Sequence, residues 1–99
     1  MADDPKELLA EYRRSIDNLD ASVVFLLAER FRLTKRIGHL KKAHDLPPGD
    51  PEREASMMER LRHLAEDADL DPAFAEQFFK FIIETVIRHH LDLRDGDKR

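Results

Sequence analysis

The sequence of 99 residues contains no cysteine and only three glycines. Without cysteine, the chain has neither disulfide bonds nor a thiolate that acts as a nucleophile or metal ligand. The scarcity of glycine, together with the frequent Ala, Leu, Glu, Arg and Lys residues, favours helix along the whole chain. The sequence therefore predicts an all-α protein.

Long apolar runs are absent as well, and no stretch approaches the roughly 18 apolar residues of a membrane-spanning helix. The opening segment MADDPKELL is acidic, unlike a secretory signal peptide, so we expect a cytoplasmic protein. The formal net charge of −4 argues against nucleic acid as the main partner, because phosphate binding requires a basic surface. A small anion in a local cationic pocket is compatible with this composition.

The longest predicted helix runs from about Pro5 to Ala43, and among strong helix breakers only Gly38 lies inside it. Its apolar residues recur at helical spacing, at Leu8, Leu9, Tyr12, Ile16, Leu19, Val23, Leu26, Leu27, Thr34 and Ile37. Such a helix extends for about 57 Å, farther than the rest of so short a chain can cover. Its apolar stripe therefore requires a second subunit.

Two further helices are predicted, each preceded by an aspartate that is followed by proline. The segment HDLPPGDPERE ends the first helix, because its prolines and glycine cannot continue it. Asp50 and Asp71 have the form of N-caps before proline at the first helical position, which predicts helices over about 51–66 and 72–93. The apolar residues of these helices are Met57, Met58, Leu61, Leu64, Phe74, Phe78, Phe79, Phe81, Ile82, Ile83, Val86, Ile87 and Leu91. We expect the final RDGDKR to be frayed.

Arg30 and Lys41 lie on the same side of the first helix as its apolar stripe. On a helical wheel of about 100° per residue, both fall within roughly 20° of the direction shared by Val23 and Ile37. The cations well over about 100° away, which form a solvated face, are Arg32, Lys35 and Lys42. A buried cation without a counter-charge is costly, so we expect a protein carboxylate or an anion from solution beside each. There are two alternatives to a bound dianion. The cations form salt bridges within the protein, or their long side chains reach the edge of the stripe.

The five histidines do not predict a metal site, since no HxxxH pair occurs among His39, His44, His63, His89 and His90. The adjacent His89 and His90 point about 100° apart on a helix. Either of them, on the inner side of the third helix, is a candidate hydrogen-bonding group of a site. A buried structural histidine is the alternative interpretation.

Six polar residues follow the spacing R-x16-R-x10-K-x8-D-x2-R-E, namely Arg13, Arg30, Lys41, Asp50, Arg53 and Glu54. Together with the segments IDNLD, LLAER, IGHLK and FIIE, this pattern resembles the all-helical chorismate mutases that form intertwined dimers. The resemblance covers nearly the whole chain. It implies a single domain over residues 1–99, with an ordered core of about 5–93, in which three helices per protomer, including the very long first helix, build a homodimer.

The resemblance also implies the reaction, the Claisen rearrangement of chorismate to prephenate in the biosynthesis of phenylalanine and tyrosine. This pericyclic step needs no cofactor, and each of two active sites combines Arg13 of one chain with the other site residues of its partner. Arg13 and Arg30 would each bind a carboxylate of chorismate through a guanidinium fork. Lys41 would stabilise the negative charge that develops on the ether oxygen in the transition state.

The remaining positions of the pattern would surround the ring hydroxyl and the ether oxygen. Glu54, with Asp50 near it, would orient the hydroxyl, and Arg53 would stabilise their arrangement. We call these three residues the D-x2-R-E corner. Two positions depart from the family pattern, because Val86 and His90 stand where a serine and a glutamine are common. Valine offers no hydrogen bond to a carboxylate, and His90 replaces the amide only as a donor to the ether oxygen alongside Lys41.

These departures leave two alternatives to a mutase. Isochorismate pyruvate lyases are related proteins of similar length and helix order, and they eliminate pyruvate from the isomeric substrate. We rank the lyase second, because the D-x2-R-E corner suits a hydroxyl at the chorismate position. The third interpretation is a non-catalytic helical dimerisation module, which leaves Arg30 and Lys41 without a role.

Overall fold

The computed structural model describes residues 4–96, which form three α-helices and no β-strand. Helix α1 spans Pro5–Ala43, α2 spans Pro51–Asp67 and α3 spans Pro72–Gly96. The predicted all-α class and the very long first helix are confirmed. Helix α3 continues past its predicted end at Leu93, while the last part of the expected frayed tail, residues 97–99, lies outside the described residues.

Both predicted aspartate caps are present at the starts of α2 and α3. The carboxylate of Asp50 accepts a hydrogen bond from the backbone N–H of Arg53 over 3.1 Å. Asp71 accepts from the backbone N–H of Ala73 over 3.0 Å. Each cap satisfies a backbone donor that the first helical turn leaves without an intrahelical acceptor.

The ends of α1 and α2 share a second motif, in which an aspartate adopts the left-handed conformation. Asp45 has φ of 53° and Asp69 has φ of 55°. The next residue then donates its N–H to a carbonyl five residues earlier, Leu46 to Lys41 over 2.7 Å and Leu70 to Ala65 over 2.8 Å. These Schellman-type ends satisfy the last carbonyls of each helix and turn the chain sharply.

The chain separates into two compact units, one up to Leu33 and one from Thr34 onward. The first unit consists of α1 up to Leu33, and its apolar stripe is exposed in the single chain. Tyr12 is 63% exposed, Leu19 64% and Leu26 69%. These residues follow one another at intervals of seven, so they lie along one side of the helix.

The second unit contains the last turns of α1 together with α2 and α3, which pack against each other. Its buried apolar residues are Ala65, Ala75 and Ile82. Several large residues predicted as apolar contacts are instead exposed, namely Leu64, Phe74, Phe81 and Leu91. A unit this small has too little interior to enclose all of its large apolar side chains.

Candidate active site

Lys41 lies in the last turn of α1 and is half-buried. Its Nζ donates a hydrogen bond to the carbonyl oxygen of Pro48 over 3.2 Å. An ammonium group has three N–H donors, so this bond leaves two for a ligand. Proline has a fixed φ, which restricts the direction of the loop that carries this carbonyl. Lys41 is therefore a positioned cation with donors to spare.

His90 is buried, with 6% of its surface exposed, and both of its ring nitrogens face backbone carbonyls. Nε2 lies 2.9 Å from the carbonyl oxygen of Thr34 in α1, and Nδ1 lies 3.4 Å from that of Pro48. A neutral imidazole carries one N–H and donates to only one of the two. The Pro48 carbonyl thus faces both Lys41 and His90.

Gly38 makes room in α1 for the ring of His90. A Cβ at this buried position would lie 2.7 Å from Cδ2 and 3.0 Å from Nε2 of His90. Glycine inside a helix costs roughly 1 kcal/mol relative to alanine. Its presence here is explained by the close approach of α3, which any side chain would obstruct.

The end of α3 also holds the connection between α1 and α2. The guanidinium of Arg94 donates to the carbonyl oxygen of Leu46. Nearby, Nζ of Lys42 donates to the carbonyl oxygen of Leu93 over 3.4 Å. These contacts join residues that are about fifty positions apart, so tertiary contacts with α3 add to the local turn at Asp45 in holding the connection.

The D-x2-R-E corner occupies the beginning of α2. Asp50 and Arg53 are exposed, and the Asp50 carboxylate is engaged as the helix cap. Glu54 is half-buried and borders a groove of about 420 Å³ between α2 and α3. The charged residues that line this groove with it are Glu76, Lys80 and Glu84. Glu54 is thus the more shielded of the two carboxylates at this corner.

Val86 lies one helical turn before His90 on α3 and is half-buried. Its side chain offers only apolar contact. His90 itself also borders a second groove, of about 380 Å³. The other residues that line this groove are Lys35, His39, His89, Asp92 and Leu93.

Arg13 and Arg30 belong to the first unit. Arg13 is exposed, whereas Arg30 is half-buried. Arg32, predicted on the solvated face, has 59% of its side chain exposed and lies 3.5 Å from the carboxylate of Glu29. The contrast between Arg30 and Arg32 follows the helical wheel. The prediction is wrong for Lys42, which was placed on the solvated face but is half-buried, because its Nζ donates to the Leu93 carbonyl of α3.

The family resemblance implies that Lys41 and His90 meet one ligand atom, and in the structure both lie beside the Pro48 carbonyl. The Pro48 carbonyl and the role of Gly38 are not evident from the sequence pattern. The available signal was the single glycine within a segment of 39 helical residues. Glycine inside a helix indicates a close approach by another part of the chain.

Two absences can be stated for residues 4–96. No group of three or more His, Asp or Glu side chains there is arranged to hold a metal ion. None of the three helices combines the length and the apolar character needed to cross a bilayer.

These features define the class of the protein as an all-helical one, in which a very long first helix carries two half-buried cations, Arg30 and Lys41. The family model described as Chorismate mutase type II matches residues 12–91. The chain therefore belongs to the chorismate mutase type II family, and the predicted resemblance is confirmed.

Named relatives support the same assignment. The chain is 36% identical to the chorismate mutase of Methanocaldococcus jannaschii over 78 residues. This aligned region covers 79% of each of the two chains. It is 43% identical over 58 residues to the bifunctional chorismate mutase/prephenate dehydratase of Aquifex aeolicus, covering 59% of this chain and 16% of that protein. With the T-protein of Haemophilus influenzae it shares 35% identity over 74 residues, covering 75% of this chain and 20% of that protein. The chain therefore spans a fifth or less of the length of these two larger relatives.

Proposed function

We propose that this protein is a cytoplasmic chorismate mutase that rearranges chorismate to prephenate in the biosynthesis of phenylalanine and tyrosine. The observation that carries the proposal is the family match over residues 12–91. All eight proposed site residues fall within that range, from Arg13 to His90. The similarity to a named chorismate mutase over 79% of both chains supports it further.

Substrate binding in this proposal depends on two arginines. Chorismate is a dianion, and a guanidinium holds a carboxylate through two parallel hydrogen bonds. Arg13 and Arg30 each bind one carboxylate and thereby fix the compact conformer in which the bond-forming carbons approach each other. The partial burial of Arg30 supports its role, because shielding from water strengthens a pairing with carboxylate.

Lys41 supplies the main catalytic charge. The ether bond of chorismate breaks ahead of carbon–carbon bond formation, so negative charge develops on the ether oxygen in the transition state. An ammonium already held in place stabilises this charge more than it stabilises the ground state. The hydrogen bond from Lys41 to Pro48 supports the assignment, since it orients the group and leaves two donors for substrate.

The D-x2-R-E corner orients the ring hydroxyl in the same proposal. Glu54 accepts the hydroxyl hydrogen bond, Asp50 lies near it at the helix cap, and Arg53 contributes positive charge to the corner. Val86 contacts the substrate through apolar surface alone. His90 belongs to the set as a second donor to the ether oxygen alongside Lys41, and one of its ring nitrogens lies 3.4 Å from the Pro48 carbonyl that Lys41 also faces.

The proposed assembly is a homodimer whose two active sites each take Arg13 from the partner chain. Its support is the exposed stripe of the first unit, since monomers rarely leave such a row of large apolar side chains in water. Neither nucleic acid nor a membrane has a role in this assembly. Sedimentation equilibrium should show a dimer that unfolds without a folded monomer, and a stable, compact monomer would contradict the proposal.

A direct test supplies the purified protein with chorismate and, separately, with isochorismate, and identifies the products. Prephenate from chorismate is the expected result. Pyruvate released from isochorismate, without prephenate from chorismate, would make the protein a lyase. Turnover of neither substrate would leave the helical dimerisation module as the function.

A further inference from the structure

We propose that Arg94 is a positioning residue that orients Lys41 by holding the connection between α1 and α2. This inference rests on the proposed function, because it treats Lys41 as the cation at the reacting oxygen. The observation that carries it concerns the three-residue segment 46–48 of the connection. This segment forms hydrogen bonds with Lys41 from both of its ends, and its first residue also accepts a hydrogen bond from Arg94.

The segment 46–48 contacts both the backbone and the side chain of Lys41. The N–H of Leu46 donates to the carbonyl oxygen of Lys41 over 2.7 Å. At the other end of the segment, Nζ of Lys41 donates to the carbonyl oxygen of Pro48 over 3.2 Å. Because the acceptor of the ammonium belongs to this segment, the direction of the ammonium depends on where the segment is held.

Arg94 is half-buried near the end of α3, and its guanidinium donates to the carbonyl oxygen of Leu46. This bond fixes the direction of the planar peptide group that joins Leu46 to Pro47. Between that group and the Pro48 carbonyl, the proline rings set both φ angles, and the ψ of Pro47 is restricted because another proline follows. The ψ of Pro48 is then the one backbone torsion without such a restriction. Holding the Leu46 carbonyl therefore confines the Pro48 oxygen to a small region beside Lys41.

The turn at the end of α2 offers an internal comparison, because it contains the same backbone hydrogen bond. Leu70 donates its N–H to the carbonyl of Ala65 over 2.8 Å, as Leu46 does to Lys41 over 2.7 Å. Such a turn forms from its own backbone and its left-handed aspartate. The bond from Arg94 is therefore an addition to the first turn, and it acts on the carbonyl groups from Leu46 onward.

The consequence for catalysis is an ammonium group that has its direction before substrate arrives. Charge that is already in place stabilises the transition state without reorganisation at the moment of reaction. Without the bond from Arg94, the connection moves and the Lys41 ammonium follows it. The charge of Lys41 and the arginines that bind the substrate carboxylates are unchanged. Loss of this bond should therefore lower kcat and leave KM nearly unchanged.

Three variants of α3 test this bond. Arg94→Met removes the donor and keeps an unbranched side chain, and we expect kcat to fall about fivefold or more, with KM within roughly twofold. Arg94→Lys keeps the charge and an N–H donor and should retain kcat within roughly threefold. The matched control is Arg88→Met, which removes an exposed arginine of the same helix and should change neither constant. In the Lys41→Ala background, Arg94→Met should lower turnover no further, because its effect passes through the missing group.

Three measurements do not depend on turnover. Hydrogen exchange of the Leu46 N–H should be faster in Arg94→Met, whereas exchange of the Leu70 N–H should stay as in the wild type. In protein labelled with 15N, relaxation should show an ordered Lys41 ammonium in the wild type and in Arg94→Lys, and a mobile one in Arg94→Met. In the wild type alone, the Nε signal of Arg94 should be ordered and that of Arg88 mobile, which tests the bond even if Arg94→Met does not fold.

The outcomes distinguish this inference from the proposed function. If the wild type makes no prephenate, the proposed function fails, and the order of the Lys41 ammonium still decides whether Arg94 positions it. A raised KM with unchanged kcat in Arg94→Met would mean that Arg94 attracts the substrate dianion instead, and the inference would be overturned. Unchanged kcat and KM, a Lys41 ammonium equally ordered in all forms, or faster exchange at Leu70 as well as at Leu46 would also overturn it.

Discussion

Gly38 of α1 and His90 of α3 pack so closely that a Cβ on the glycine would lie 2.7 Å from the imidazole ring. Alanine is the better helix former by roughly 1 kcal/mol, and in an exposed helix Gly38→Ala would stabilise the protein. Here the methyl group displaces the ring and breaks the buried hydrogen bond to Thr34. We expect a net loss of roughly 1–2 kcal/mol in the free energy of unfolding, measured by urea denaturation.

The same substitution in a His90→Ala background provides the control. Without the ring, the alanine at position 38 meets no obstacle and its helix propensity should dominate. Gly38→Ala should then stabilise the His90→Ala protein by about 1 kcal/mol. A destabilising effect of equal size in both backgrounds would show that the glycine is needed for another reason.

Lys41→Ala and Arg30→Ala should each lower turnover by about 100-fold or more, because each removes a charge that meets negative charge in a shielded site. The matched control is Lys35→Ala, which removes an exposed cation of the predicted solvated face. It should retain nearly full turnover. Steady-state kinetics with chorismate and circular dichroism of each variant are the measurements, and near-normal activity of Lys41→Ala would refute the proposed catalytic role.

The limits of the helices were predictable where local residue types determine them. Asp50 and Asp71, each followed by proline, mark the starts of α2 and α3, and the first helix has its predicted limits. The end of α3 was not predictable in this way. Its last turn is held by Arg94 through the carbonyl of Leu46, a contact across 48 positions that no local signal encodes.

The sequence predicted which residues belong to the proposed site, but it did not predict what those residues contact. Helical spacing placed Lys41 on the side to be shielded, and the side chain is half-buried. The partners of Lys41 and His90 are backbone carbonyls, which every residue possesses, so no residue type signals them. The approach of α3 to α1 determines which carbonyls His90 meets, whereas Lys41 meets the Pro48 carbonyl seven positions along the chain.

Asp50 has two roles that can be separated, as the cap of α2 and as part of the corner that orients the ring hydroxyl. Asp50→Ala should lower the free energy of unfolding by about 1 kcal/mol, because it leaves the Arg53 N–H without its acceptor. It should also lower turnover. Asp71→Ala is the control, since it removes the equivalent cap from α3 and should lower stability to a similar extent with turnover unchanged. If the two variants lose turnover equally, the effect of Asp50 is structural.

The proposal that two chains share each active site can be tested by mixing inactive variants. An Arg13→Ala chain retains Lys41 and lacks the arginine that its partner requires, whereas a Lys41→Ala chain has the opposite defect. Each homodimer is therefore inactive at both sites, but a mixed dimer contains one site with both residues intact. Random exchange makes half of the dimers mixed, so about a quarter of wild-type activity should return.

Subunits are mixed by unfolding and refolding together, with each variant refolded alone as the control. Because the exposed stripe of α1 is the proposed dimer contact, recovery should require this joint refolding. If a refolded mixture of confirmed heterodimers recovers no activity, Arg13 of one chain and Lys41 of the other do not act in the same site.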